Sequence, residues 1–141
     1  MAAIMKSYTD LGQSKKLAGF LPLESADMIY TPIMDIDSMS NSGFLDIPEC
    51  YSFNEFKDSH AKPLPCWSLA ALLQVLPLGL YDEFDGCDYE LEINMIDKMP
   101  RYIRLGDISH SKFPWDFEKD TLLDNIVESI IWLNDNNYFE S

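Results

Sequence analysis

The chain is expected to fold as an α+β domain: a small antiparallel β-hairpin or sheet packed against a buried central helix and a long C-terminal helix. Three observations predict this. Residues alternate apolar and polar from Tyr89 to Met95, an apolar run CWSLAALLQVL lies between Pro65 and Pro77, and helical spacing of Leu, Ile and Val runs from Asp120 to about Asn136. With 141 residues, 47% of them hydrophobic and 13% aromatic, the composition is globular and suits a single α+β domain over 1–141. A long irregular loop is expected at about 31–65.

Thr9 reads as the N-cap of a first helix to about Phe20, with Leu11, Ser14, Leu17, Ala18 and Leu21 on one side and Gln13, Lys15 and Lys16 elsewhere. Gly12 and Gly19 weaken that helix. Pro22 permits a short second turn, capped by Ser25 and running through Ala26, Asp27, Met28 and Ile29, before Pro32 enforces extension.

No period is sustained from Thr31 to Pro65. Asp35 to Gly43 reads DIDSMSNSG, which is turn chemistry. Phe44, Tyr51, Phe53 and Phe56 follow, and the expectation is that they fasten an irregular segment over the core rather than form a binding loop.

Pro65 suits a helix start and Pro77 ends that helix. Leu69, Leu72, Leu73 and Leu76 share an arc with Val75 beside it, while Trp67, Ala70 and Gln74 lie opposite. Apolar nearly all round, this segment is expected at the centre of the fold.

Tyr89, Leu91, Ile93 and Met95 form one face of a half-buried strand, with Glu90, Glu92 and Asn94 on the other. A second strand over Arg101 to Leu105 is expected to pair through a five-residue loop, Ile96 to Pro100. That register sets Ile93 against Ile103, Leu91 against Leu105 and Glu92 against Arg104. A third strand is expected from Phe44 to Phe56 or from Leu78 to Phe84.

Asp120 reads as the cap of the last helix. Leu122, Leu123, Ile126, Val127, Ile130, Ile131 and Leu133 form its apolar half; Asp124, Asn125, Glu128, Ser129 and Asp135 form the polar half. Trp132 projects into the polar half. Either another layer, with Phe113 to Phe117 as candidate, covers it, or the indole is open to a partner.

Ten basic residues against twenty-four acidic ones leave a formal net charge of -14. A field of that sign repels nucleic-acid backbones and anionic membranes and attracts basic proteins or cations. The longest apolar stretch, Leu69 to Leu80, is interrupted by Gln74 and Pro77 and falls short of the roughly 20 residues a bilayer needs. Met1 to Tyr8 lacks the apolar run of a signal peptide. Cys50, Cys66 and Cys87 are odd in number and widely spaced, which fits reduced thiols in a cytoplasm, and Cys66 is expected to act as a small buried hydrophobe.

Three stretches, QSKKLAGFLPLESADMIY, LPCWSLAALLQVLP and DTLLDNIVESIIWL, resemble a group of uncharacterised small acidic proteins encoded by phages and mobile elements of gut bacteria. The resemblance covers both ends and the central helix but not the Asp35 to Phe56 loop. It implies a genetic setting, a bacterial host cytoplasm, and no chemistry to transfer.

The catalytic and metal-binding patterns in the chain are incomplete. Placing Gly86 sixth in a calcium loop puts Glu83 third, Asp85 fifth and Glu92 twelfth, but Tyr81 then occupies the first ligand position and Glu92 belongs to a strand. Cys50, His60, Cys66 and Cys87 lie ten, six and twenty-one positions apart, without the close pairs of structural zinc sites. Asp107, Ser109 and His110 include the residue types of a hydrolase triad, yet triads are assembled from separate elements around a strained turn. Lys98, Arg101 and Arg104 form a basic cluster expected to pair with Glu90, Glu92 and Asp97 rather than grip an anion.

No catalytic residue, cofactor site or metal site is therefore expected. The expected function is that of a small non-enzymatic accessory protein binding a basic or partly apolar surface of a host or phage protein, with no direct nucleic-acid or membrane binding. Asp124, Glu128, Trp132 and Asp135 are the expected partner-binding residues. The alternatives are a nucleic-acid mimic that inhibits a host defence or regulatory protein and, further off, a metal-binding or hydrolytic protein. Salt dependence separates docking through apolar contact from mimicry.

Overall fold

The computed structural model describes residues 6–32, 44, 47–50, 63–83, 85–96, 98–104, 107–112 (backbone), 119 and 121–139. Among the described residues, three α-helices and two antiparallel sheets make the fold α+β. The chain divides into two compact units, Ser7–Leu72 and Met1–Lys6 with Leu73–Ser141.

In the first unit, helix α1 (Leu11–Ala18) is capped by Asp10, not Thr9. The Gln13 amide donates to Asp10 Oδ1 at 2.8 Å and the Asp10 amide donates to Gln13 Oε1 at 3.0 Å, a reciprocal capping box. Thr9 is buried, and its hydroxyl is engaged inside the unit. Ser14, Leu17 and Leu21 are buried as expected, and Lys15 and Lys16 are exposed. The helix stops at Ala18, short of Phe20, with Gly19 as its C-cap.

A 3-10 turn at Leu23–Ser25 follows Pro22, but the chain then extends rather than coils. Met28–Tyr30 is strand β1, flanked by β2 (Glu49–Cys50) and β3 (Leu64–Cys66) in the order β2-β1-β3. Ile29 and Tyr30 are buried in this strand, so pairing and burial override the local turn signal at Ser25. β2 and β3 arise inside the stretch expected to be irregular. Strands of two and three residues are too short to display a period. Phe44 forms an isolated bridge with Pro32, and Lys15 Nζ lies 6.0 Å from its ring centroid. Residues 33–43 and Tyr51, Phe53 and Phe56 lie outside the described residues.

Helix α2 (Leu69–Val75) is less buried than its composition suggests. Ala71 and Leu72 are buried, as is Leu76 just beyond, but Leu69, Leu73 and Val75 are half-buried and Ala70 and Gln74 are exposed. Trp67, which precedes the helix, is fully buried, as is Leu72 within it. A seven-residue helix can turn only one side inward, whatever its remaining side chains are.

The second unit is built on β4 (Gly79–Asp82), β5 (Cys87–Asn94), β6 (Met99–Arg104) and β7 (Asp107–Lys112), in that order across the sheet. β4 is the strand expected from the Leu78 to Phe84 region. The β5–β6 hairpin exists, but its register differs from expectation: Leu91 faces Tyr102, Glu92 faces Arg101 and Ile93 faces Pro100. The loop has four residues, Met95–Lys98, because Asn94 pairs with Met99. Two local features support the tighter turn: Asn94 Oδ1 accepts the Ile96 amide at 2.9 Å, and Lys98 adopts a left-handed φ of 57°.

The shift inverts the faces of β6 relative to expectation. Tyr102, not Ile103, is the fully buried residue, and its hydroxyl donates to the Pro77 carbonyl at 2.6 Å. An aromatic ring with one satisfied polar end fills this interior position in place of an aliphatic side chain. Leu105 lies outside the described residues.

Helix α3 (Leu122–Asp135) packs on β6 and buries Leu123, Ile126, Val127, Ile130 and Leu133. Its N-cap is Thr121, whose Oγ1 accepts the Asp124 amide at 3.1 Å; Asp120, the expected cap, lies outside the described residues. Among the described residues no helix is long and apolar enough to cross a membrane.

Candidate functional site

The polar half of α3 is not the continuous acidic surface that helical spacing suggests. Asn125 and Ser129 are fully buried. Asn125 Oδ1 accepts the Lys119 amide at 2.9 Å, and its Nδ2 donates to the carbonyls of Lys98 at 2.6 Å and Lys119 at 3.3 Å. Ser129 Oγ donates to the Asn125 carbonyl at 2.8 Å. Asn125 ties α3 to the β5–β6 turn and to the segment before the helix, while Ser129 is satisfied within the helix; the arc that carries both faces inward.

Of the four residues expected to meet a partner, Asp124 lies in the first turn of α3 and accepts an ion pair from Lys6 Nζ at 2.7 Å. Both side chains are partly exposed, so the pair contributes about 0–1 kcal/mol. Glu128 is half-buried and Asp135 is exposed in the last turn. Trp132 is half-buried and stacks on Tyr138, with ring centroids 5.7 Å apart and planes 18° from parallel. Phe113 to Phe117, the expected cover, lie outside the described residues. The chain after the helix supplies one neighbour: Asn137 takes a left-handed φ of 65° and the Tyr138 amide bonds back to the Leu133 carbonyl at 2.9 Å.

A clearer acidic surface lies on the outer face of the four-stranded sheet. Asp88, Glu90 and Glu92 alternate along β5, so their side chains leave the same face, about 7 Å apart. All three are exposed, and Tyr81, paired with Asp88 from β4, is 58% exposed. Gly79 pairs with Glu90 and adds no side chain to that face. The inner face carries Leu80, Tyr89 and Tyr102, all buried. The alternation of β5 already marked Glu90 and Glu92 as outward. Asp88 and Tyr81 required knowledge of β4 and its register.

The remaining chemistry-bearing residues are dispersed or structural. Cys66 is fully buried; its Sγ donates to the Thr9 carbonyl at 3.4 Å and accepts from Thr9 Oγ1 at 3.5 Å. Burial pushes its thiol pKa up, only partly opposed by hydrogen bonds from Thr9, Ser14 and Tyr30, which disfavours the nucleophilic thiolate. Thr9 Oγ1 also accepts the Trp67 amide at 3.1 Å and shares a 2.7 Å hydrogen bond with Ser14, while Tyr30 donates to the Thr9 carbonyl at 2.7 Å. This knot joins α1, β1 and β3.

Cys50 is exposed and Cys87 half-buried, both as free thiols, and His60 lies outside the described residues. Among the described residues no group of three His, Cys, Asp or Glu side chains is placed to hold a metal ion. Gly86 adopts a φ of 67° in the turn between β4 and β5, so the segment with partial calcium-loop spacing is a β-hairpin. Asp107, Ser109 and His110 all belong to β7. Arg101 and Arg104 sit opposite Glu92 and Tyr89 respectively, an odd number of positions apart, so the basic residues of β6 divide between the two faces of the sheet.

No known protein family, curated protein or solved structure matches the chain.

Proposed function

We propose that this is a small non-enzymatic docking protein that binds a basic surface of another protein through the outer face of its four-stranded sheet. The observation that carries this reading is the row Asp88, Glu90 and Glu92, exposed on one rigid strand beside the exposed Tyr81. Carboxylates on a paired central strand are held at fixed separations, so they meet lysines or arginines with less ordering cost than acids on a loop. The net charge of -14 adds long-range attraction, which speeds encounter with a basic partner. The aromatic ring of Tyr81 supplies apolar area at the margin of the row. The resemblance to small acidic proteins of phages and mobile elements supports a host or phage protein as the partner, in a bacterial cytoplasm.

The test compares two variants of equal charge change, using the acetylated, amidated peptide (Lys-Val)3 as basic probe. One carries Asp88→Asn, Glu90→Gln and Glu92→Gln; the other carries Asp124→Asn, Glu128→Gln and Asp135→Asn. Loss of affinity of about tenfold or more in the sheet variant, against about twofold or less in the helix variant, is expected. Equal losses would mean that the attraction is diffuse and that the sheet is not the site. A nucleic-acid mimic draws on the same carboxylates, but its partner would be released far more steeply as salt rises.

A further inference from the structure

Among the described residues nothing pairs with the outer edge of β4, and we infer that this edge accepts an added strand from the partner: an extended segment in which basic and apolar residues alternate. This inference rests on the proposed docking function and specifies how the partner is held.

The hydrogen-bonding pattern identifies the open groups. The Leu91 amide donates to the Leu78 carbonyl at 2.9 Å, so Leu78 and Leu91 are a hydrogen-bonded pair. In an antiparallel ladder such pairs alternate with non-bonded ones. Leu80 and Tyr89 are therefore bonded to each other, whereas Gly79 and Tyr81 turn their N–H and C=O groups away from β5. β4 ends the sheet order, and among the described residues no hydrogen bond is formed to either residue from beyond that edge. Edge strands are usually blunted by lysine, proline, a bulge or a covering element. β4 reads GLYD, with regular pairing along its length and exposed backbone at Gly79.

The side chains around the edge define the occupant. Leu78, 79% exposed, and Leu80 share the side-chain parity of the inner face, so an apolar residue of an added strand would cover Leu78. On the outer face, a side chain placed opposite Gly79 meets no obstacle there and extends toward Glu90, two strand spacings or about 10 Å away. A neighbour two residues along lies beside Tyr81, with Asp88 behind it and exposed Glu83 at the strand end. Long basic side chains satisfy both outer positions. A second copy of the chain does not, because it would bring another -14 and the same acidic row to the contact. Backbone bonds would supply affinity and the alternating side chains specificity, as in other strand-addition complexes.

Tyr81→Pro tests this directly. The substitution removes an outward N–H and no ladder bond to β5, a position where edge strands tolerate proline. Tyr81→Thr removes the ring but keeps the N–H and suits a strand, so it controls for the side chain. With the (Lys-Val)3 peptide, slowed exchange of the Gly79 and Tyr81 amides in the native protein is expected. Tyr81→Pro should weaken binding about tenfold or more and Tyr81→Thr about threefold or less. A folded Tyr81→Pro protein, checked by its circular dichroism and amide spectrum, that binds as tightly as the native one would overturn strand addition. If binding then still depends on Asp88, Glu90 and Glu92, the docking function survives without it. Unchanged amide exchange at saturating peptide would also overturn it, as would a concentration-dependent dimer abolished by Tyr81→Pro, which would make a second copy the occupant.

Discussion

Asn125 offers the sharpest test of how the second unit is held together. It is fully buried on α3 and makes hydrogen bonds of 2.6, 2.9 and 3.3 Å to the backbone of Lys98 and Lys119. Asn125→Leu would keep the side-chain volume roughly constant and remove all three. The two shorter bonds contribute about 1 kcal/mol each, and the Lys98 carbonyl, left facing an apolar side chain, adds about 1–3 kcal/mol. Lys119 is exposed, so its amide and carbonyl rehydrate and add little. The expected cost is therefore about 3–5 kcal/mol, measured by urea unfolding followed by far-UV circular dichroism.

Asn125→Asp adds a pH signature to the same site. Its carboxylate would face two carbonyl oxygens in a buried position, so its folded pKa would lie above the unfolded value of about 3.9. The penalty is absent below that unfolded value and grows as pH rises through the folded one. The aspartate variant should consequently lose more stability, relative to the native protein, at pH 8 than at pH 5. A shift below about 0.5 kcal/mol for the leucine variant, or a pH-independent cost for the aspartate variant, would refute the claim that this amide clasps the turn to the helix.

Leu72→Ala should cost about 2–5 kcal/mol in urea unfolding, and Leu73→Ala clearly less, because Leu72 is fully buried and Leu73 only half-buried. Lys98→Gly should raise the unfolding free energy by about 0.5–1 kcal/mol, since a left-handed φ of 57° strains lysine but not glycine. Cys66 should react with an aromatic disulfide reagent on the order of a hundredfold more slowly than exposed Cys50, the difference vanishing in denaturant. Burial raises the Tyr102 hydroxyl pKa well above its ordinary value. The stability this brings is complete below the unfolded value of about 10 and is lost as pH rises beyond it, so Tyr102→Phe should flatten alkaline unfolding.

Periodicity and charge were legible in the chain itself. Strict alternation marked β5 and the outward carboxylates Glu90 and Glu92, while a seven-residue apolar set marked α3 and its buried Leu123, Ile126, Val127, Ile130 and Leu133. These signals are local: a side chain's neighbours at two or at three to four positions determine its face before any tertiary contact forms. Caps were legible only to within one residue. Thr9 and Asp10 are both competent caps, and the choice fell to Asp10 because the Thr9 hydroxyl bonds to the Trp67 amide, far along the chain.

What the tertiary structure alone decided was everything that depends on a distant partner. The register of β6 followed from burying Tyr102 against the Pro77 carbonyl, not from matching aliphatic residues. Asn125 and Ser129 were drawn inside because backbone groups of Lys98 and Lys119, and the helix itself, satisfy them. Met28–Tyr30 became a strand only through pairing with Glu49–Cys50 and Leu64–Cys66, segments too short to announce themselves. The candidate surface shifted from helix to sheet for the same reason. Net charge is a property of composition, but which carboxylates stand together on one exposed face is set by hydrogen-bonded register between strands, and no local pattern encodes that.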